Sequence, residues 1–155
     1  MSISAIPALQ NKRQDYVNRA AHARNQIARC ERAHETLSTF KTVVTQAQED
    51  FHNINSSKSS ILSGVESVKQ NSLIAQRYHT GMSNIFTGIG NRIIGLVYSE
   101  LLVAISAKLR SYTTAVGDYE DDVELYERKI REIDHQIEET RKAEELAKQI
   151  VGGVI

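Results

Sequence analysis

Apolar and small residues recur along the first third of the chain at alternating steps of four and three. They are Tyr16, Ala20, Ala23, Ile27, Cys30, His34 and Leu37, and that spacing predicts a helix with a coiled-coil stripe. Beyond Leu37 the stripe moves one place, to Phe40, Val44, Ala47, Phe51 and Ile54, which predicts a local phase change in one long helix. Pro7 suits a first helical turn, where its missing N–H costs little, and no other helix breaker stands between Leu9 and Ile54. Asn53, Asn55 and the serines at 56, 57, 59 and 60 compete with helical hydrogen bonds, so a bend or stop is expected near 53–60. A second helix is expected from about Ser59 to Tyr78, using Ile61, Leu62, Val65, Val68 and Leu73. Glycines then cluster at Gly81, Gly88, Gly90 and Gly95, and a glycine-rich turn is predicted near 81–90. The last helix should run from Asn91 to about Lys148. Its stripe is the most regular: Ile105, Leu109, Tyr112, Val116, Tyr119, Val123, Tyr126, Ile130, Ile133 and Ile137. Gly117 costs it about 1 kcal/mol against alanine, and Gly152-Gly153 marks its end.

Two topologies fit these helices, a two-armed hairpin and an up-down-up three-helix bundle. Charge favours the hairpin. Between Lys12 and Glu35 stand six basic and three acidic residues, and between Asp118 and Glu145 twelve acidic and five basic. Reversal near residue 86 places these complementary ends side by side, with Arg29 near Lys142; a three-helix bundle would run them parallel. Exposed pairs are each worth only about 0–1 kcal/mol, so they select a topology rather than supply stability. The expectation is an all-α, elongated antiparallel helical hairpin of coiled-coil type. It forms one helical domain over 1–155, with arms at about 8–80 and 91–150, each near 90 Å for roughly 60 residues.

Composition narrows the chemistry. Lys+Arg and Asp+Glu are both 19, which removes the basic excess of a nucleic-acid binder. The single cysteine, Cys30, excludes an internal disulfide and a multi-cysteine zinc site. Among the cysteine and the histidines only Cys30 and His34 stand four residues apart, and packing on the stripe is their simpler role. Gly88, Gly90 and Gly95 lack the preceding strand that a dinucleotide fingerprint requires. Helical rods offer no concavity for a catalytic group, so no enzyme, metal or cofactor is expected. The N-terminus carries no basic region before its short apolar patch and does not read as a signal peptide. Synthesis in the cytoplasm is expected, with any export following another route. Arg92, Glu100 and Lys108 interrupt the most apolar window, Ile85 to Leu109, which argues against a spanning helix.

That window holds more apolar residues than one facing helix can cover. A helical protein partner, self-association or a membrane surface would cover the remainder, with Phe86, Ile93, Leu96, Val97, Leu101 and Ile105 as expected anchors.

A helix, the aromatic-x-Gly tripeptide Phe86-Thr87-Gly88 and a returning helix resemble the WxG-motif superfamily of type VII secretion. The likeness is nearest to the YwqH-like helical proteins that accompany LXG toxins. The resemblance implies a hairpin whose turn is packed by Phe86 and shaped by Gly88. It also implies a non-enzymatic adaptor or chaperone-like role towards a secreted effector. Phenylalanine stands where those proteins carry tryptophan. The Tyr-x-x-x-Asp/Glu export signal is absent after Tyr112, Tyr119 and Tyr126, where Val116, Val123 and Ile130 follow at the fourth place. The alternatives are a membrane-active helical protein, such as an α-pore-forming toxin subunit, and a structural coiled-coil scaffold.

Overall fold

The computed structural model describes residues 3–69 and 72–153, the side chains of 67–69 excepted. Three helices account for nearly all of it: α1 over Ile6–Lys69, α2 over Leu73–Thr87 and α3 over Ile89–Gly152. The starts of α1 and α2 are capped by serine: the Ser4 hydroxyl accepts from the Ile6 N–H at 3.2 Å and the Ser72 hydroxyl from the Ala75 N–H at 3.3 Å, satisfying donors that a helix N-terminus leaves open. At the start of α3 the Gly88 carbonyl accepts the first helical bond, from the Arg92 N–H at 3.2 Å. The expected all-α fold with antiparallel pairing is present.

The chain divides into two compact units, one formed by 1–33 with 112–155 and the other by 34–111. In the first, the start of α1 packs antiparallel to the end of α3. Arg13 pairs with Asp134 (Nε to Oδ1, 2.6 Å) and Arg24 with Glu127, while the Tyr16 and Tyr126 rings lie 6.0 Å apart. The expected charge complementarity is thereby realised. Its register is not the expected one: with Arg24 beside Glu127 and Arg13 beside Asp134, Arg29 and Lys142 are not neighbours. Ala20, Ala23, Ile133 and Ile137 are buried. Ala23 lies along one groove with Tyr119 and Tyr126, small against large.

In the second unit the middle of α1 packs antiparallel to the start of α3, with the end of α2 beside it. Phe51 meets Tyr98 with ring centroids 5.8 Å apart, and the Asn55 amide donates to Asn91 Oδ1 at 3.0 Å. Val44, Leu62 and Ile105 are buried.

Three expectations about boundaries change. First, α1 runs unbroken through 53–60, because packing of Phe51, Asn55 and Leu62 outweighs the weak local competition from serine and asparagine. Second, no separate helix starts near Ser59; Val65 is half-buried on α1, Leu73 is exposed at the start of α2, and the Val68 side chain lies outside the described residues. Third, the glycine cluster holds an interruption, at Gly88, but the reversal comes earlier. Phe86 and Thr87 already line a groove with Phe51, His52 and Asn55 of α1, so the chain is alongside α1 again before Gly88. Gly81 and Gly90 lie within α2 and α3.

Gly88 owes its identity to crowding rather than to an unusual dihedral angle. Its φ of −76° and ψ of 177° are open to any residue, but a methyl group there would collide with the Asn84 carbonyl oxygen.

Candidate interaction surface

The half-buried and buried positions define the seam. On α1 they continue from His34 through Leu37, Lys41, Val44, Gln48, Phe51 and Asn55 to Leu62 and Val65. That is an unbroken alternation of three and four, with position 58 the one seam place left exposed. The expected phase change therefore belongs to the apolar pattern and not to the packing. Phe40 and Ile54, read from the sequence as stripe residues, are 47% and 56% exposed, while the polar Lys41, Gln48 and Asn55 face inward.

On α3 the seam runs Asn91, Gly95, Tyr98, Leu102, Ile105 and Leu109. The second unit thus pairs a half-polar seam with an apolar exterior. Among the described residues, fifteen of the twenty exposed large apolar side chains lie in it. The first unit is the reverse, with an apolar seam flanked by charged residues such as Lys12, Arg19, Arg24, Asp122, Glu127 and Asp134.

With the seam positions written a and d, α1 has His34, Lys41, Gln48 and Asn55 at a, and α3 has Gly95, Leu102 and Leu109 at a. Two exposed apolar faces then separate. One is on the side of α3 away from the seam: Ile89, Leu96 and Val103 at b, with Ile93 and Val97 beside them. The other is lateral, at g: Phe40, the half-buried Ala47, Ile54 and Ile61 on α1, with Ile94 and Leu101 on α3, where Lys108 holds the next g place. The opposite lateral side, at e, carries Ser38, Thr45, His52 and Ser59 with Arg92, Ser99 and Ser106. His52 and Arg92 line one groove there, which confirms that like flank positions meet across this antiparallel pair.

The anticipated anchors fall into three groups. Ile93, Leu96 and Val97 form the outer face, and Leu96 is 61% exposed. Leu101, 37% exposed, stands on the lateral face. Ile105 is 3% exposed and belongs to the seam, so its expected role as a partner anchor is corrected: it is an internal core residue. Phe86 is half-buried near the Gly88 interruption, and Thr87 is exposed with its hydroxyl bonded to the Ser83 carbonyl at 2.6 Å. The tripeptide therefore marks a break between α2 and α3.

Asn91 was missed by pattern reading. It donates to the Phe86 carbonyl across the break and accepts from Asn55, so one side chain ties the interruption to α1. An unbroken heptad count from Tyr16 would have found Asn55, but nothing local marks Asn91.

The charged groups offer little chemistry. Asp134 raises the Arg13 pKa above its ordinary value, through their hydrogen bond first and their opposite charge second. Asp15 raises Arg19 in the same way, with charge the larger part. Among the described residues no group of three metal-ligating side chains converges, and Cys30 and His34 are both half-buried on the seam. Among them, too, no helix is long and apolar enough to cross a membrane. No protein-family model, curated protein or solved structure matches the chain.

Proposed function

We propose that the protein is a non-enzymatic adaptor that binds a helix of another chain along the outer face of α3. The carrying observation is that Ile89, Ile93, Leu96, Val97 and Val103 stay exposed on the side away from the seam. They recur at the spacing of one helical stripe, and one stripe of about 100° is what one partner helix covers. Burying each would contribute about 1.5–3 kcal/mol before the costs of association. The resemblance of Phe86-Thr87-Gly88 to the aromatic-x-Gly motif supports a secreted effector of a type VII system as the partner. The helical N-terminal domain of an LXG toxin is the form that reading takes.

The test is titration of the full chain with such a domain, in parallel with vesicle flotation. Wild type should bind the domain. Ile93→Asp with Val97→Asp should weaken binding more than tenfold while circular dichroism stays helical. Equal binding by that variant, or flotation with vesicles and no binding to the domain, would overturn the proposal. Ile105→Asp is unsuitable as a probe because it strikes the buried seam.

A further inference from the structure

The lateral face of the second unit is a different surface from the outer stripe of α3, and it is two helices wide. We propose that it is covered by the same face of a second copy of this chain, giving a symmetric four-helix core within the 34–111 units.

Three observations carry this. The first is lateral asymmetry. All four g positions from Phe40 to Ile61 on α1 are apolar, Ala47 among them half-buried, as are Ile94 and Leu101 on α3, where Lys108 takes the next g place at the edge of the face; the e positions from Ser38 to Ser59 and from Arg92 to Ser106 are all polar. A self-contained two-helix coiled coil needs apolar residues only at a and d, whereas a helix of a larger bundle adds e or g. The first unit shows the former pattern and the second the latter. The second observation is the seam itself: Lys41, Gln48 and Asn55 face inward while Phe40 and Ile54 stand outside. The apolar centre of α1 is thus turned towards the g side, where the existing pair leaves it uncovered. The third is size. The row from Phe40 to Ile61 runs about 32 Å, and two adjacent helices are about 20 Å across, so the face measures about 640 Å². Two copies would bury about 1,300 Å² together, within the roughly 1,200–2,000 Å² of a stable standard interface. A single foreign helix would leave part of that width uncovered, whereas an identical pair matches it in width, length and heptad spacing. An isologous contact of this kind closes on itself, and the polar e side offers no second apolar face for continued growth.

The test is sedimentation equilibrium of the full chain. Wild type should be a dimer, and Ile54→Glu with Leu101→Glu should be a monomer of unchanged helicity. Ile93→Glu with Val97→Glu should remain a dimer, which separates this proposal from failure of the adaptor reading. Should the lateral variant not fold, a nitroxide on Asp50→Cys in a Cys30→Ser background reports instead. Asp50 is exposed beside the g row, and one label per chain gives dipolar coupling only between copies. Short-range coupling is expected. A wild type that remains monomeric at about 100 μM, a lateral variant that remains a dimer, or an absence of coupling would each overturn the proposal.

Discussion

Asn55 and Asn91 meet across the seam of the second unit, the Asn55 amide donating to Asn91 Oδ1 at 3.0 Å, and Asn91 in turn donates to the Phe86 carbonyl. Both are half-buried. A polar pair inside a seam costs stability but has one satisfied alignment, so it fixes register.

Asn55→Leu should therefore lower stability by about 1–2 kcal/mol, since it strands a half-buried acceptor on Asn91. Replacing both with leucine removes the polar cost as well as the bond, and should recover most of that loss. The double variant should also allow slippage, because leucine pairs equally well in shifted alignments. Thermal melts read the first effect. Distances between labels on Asn53 and Arg92 read the second, and a distribution no broader than wild type would count against register fixing.

Gly88 and Gly90 should respond oppositely to alanine. A methyl group on Gly88 meets the Asn84 backbone oxygen, which cannot move without disturbing α2, whereas Gly90 has open space around it. Gly88→Ala should cost about 1–3 kcal/mol as an overpacking change, and Gly90→Ala should stabilise α3 by about 0.5–1 kcal/mol. Denaturant titrations of the two variants decide this; a neutral Gly88→Ala would contradict the close approach.

The register of the first unit is checked by distance. Labels at Gln10 and Glu138, which line one groove, should lie close together. Labels at Arg29 and Lys142 should be about 30 Å apart, because Arg29 stands one turn beyond Arg24 and Lys142 lies well past Glu127. Close approach of the latter pair would restore a reversal inside the glycine cluster.

What the sequence determined by itself was the helical class, the antiparallel sense and the seam of the first unit. Tyr16, Ala20, Ala23 and Ile27 against Ile130, Ile133 and Ile137 form apolar stripes whose period and burial agree, so local pattern and packing give one answer. The opposed charge of the two ends was equally legible and is realised at Arg13–Asp134 and Arg24–Glu127.

Tertiary structure alone decided the second unit. Glycines suggested a reversal at 81–90 and polar residues a bend at 53–60, yet both segments stay largely helical. Weak propensities of a fraction of a kcal/mol yield to packing and to a capped start at Ser72. Phe40 and Ile54 looked like core because they are apolar and correctly spaced. They stand outside because the seam follows the geometric heptad through α1, carrying Lys41, Gln48 and Asn55 inward, where Asn55 meets Asn91. Hydrophobicity shows which residues seek burial, but only the paired helices show which of them one chain can bury, and the lateral and outer faces of the second unit are those it leaves exposed.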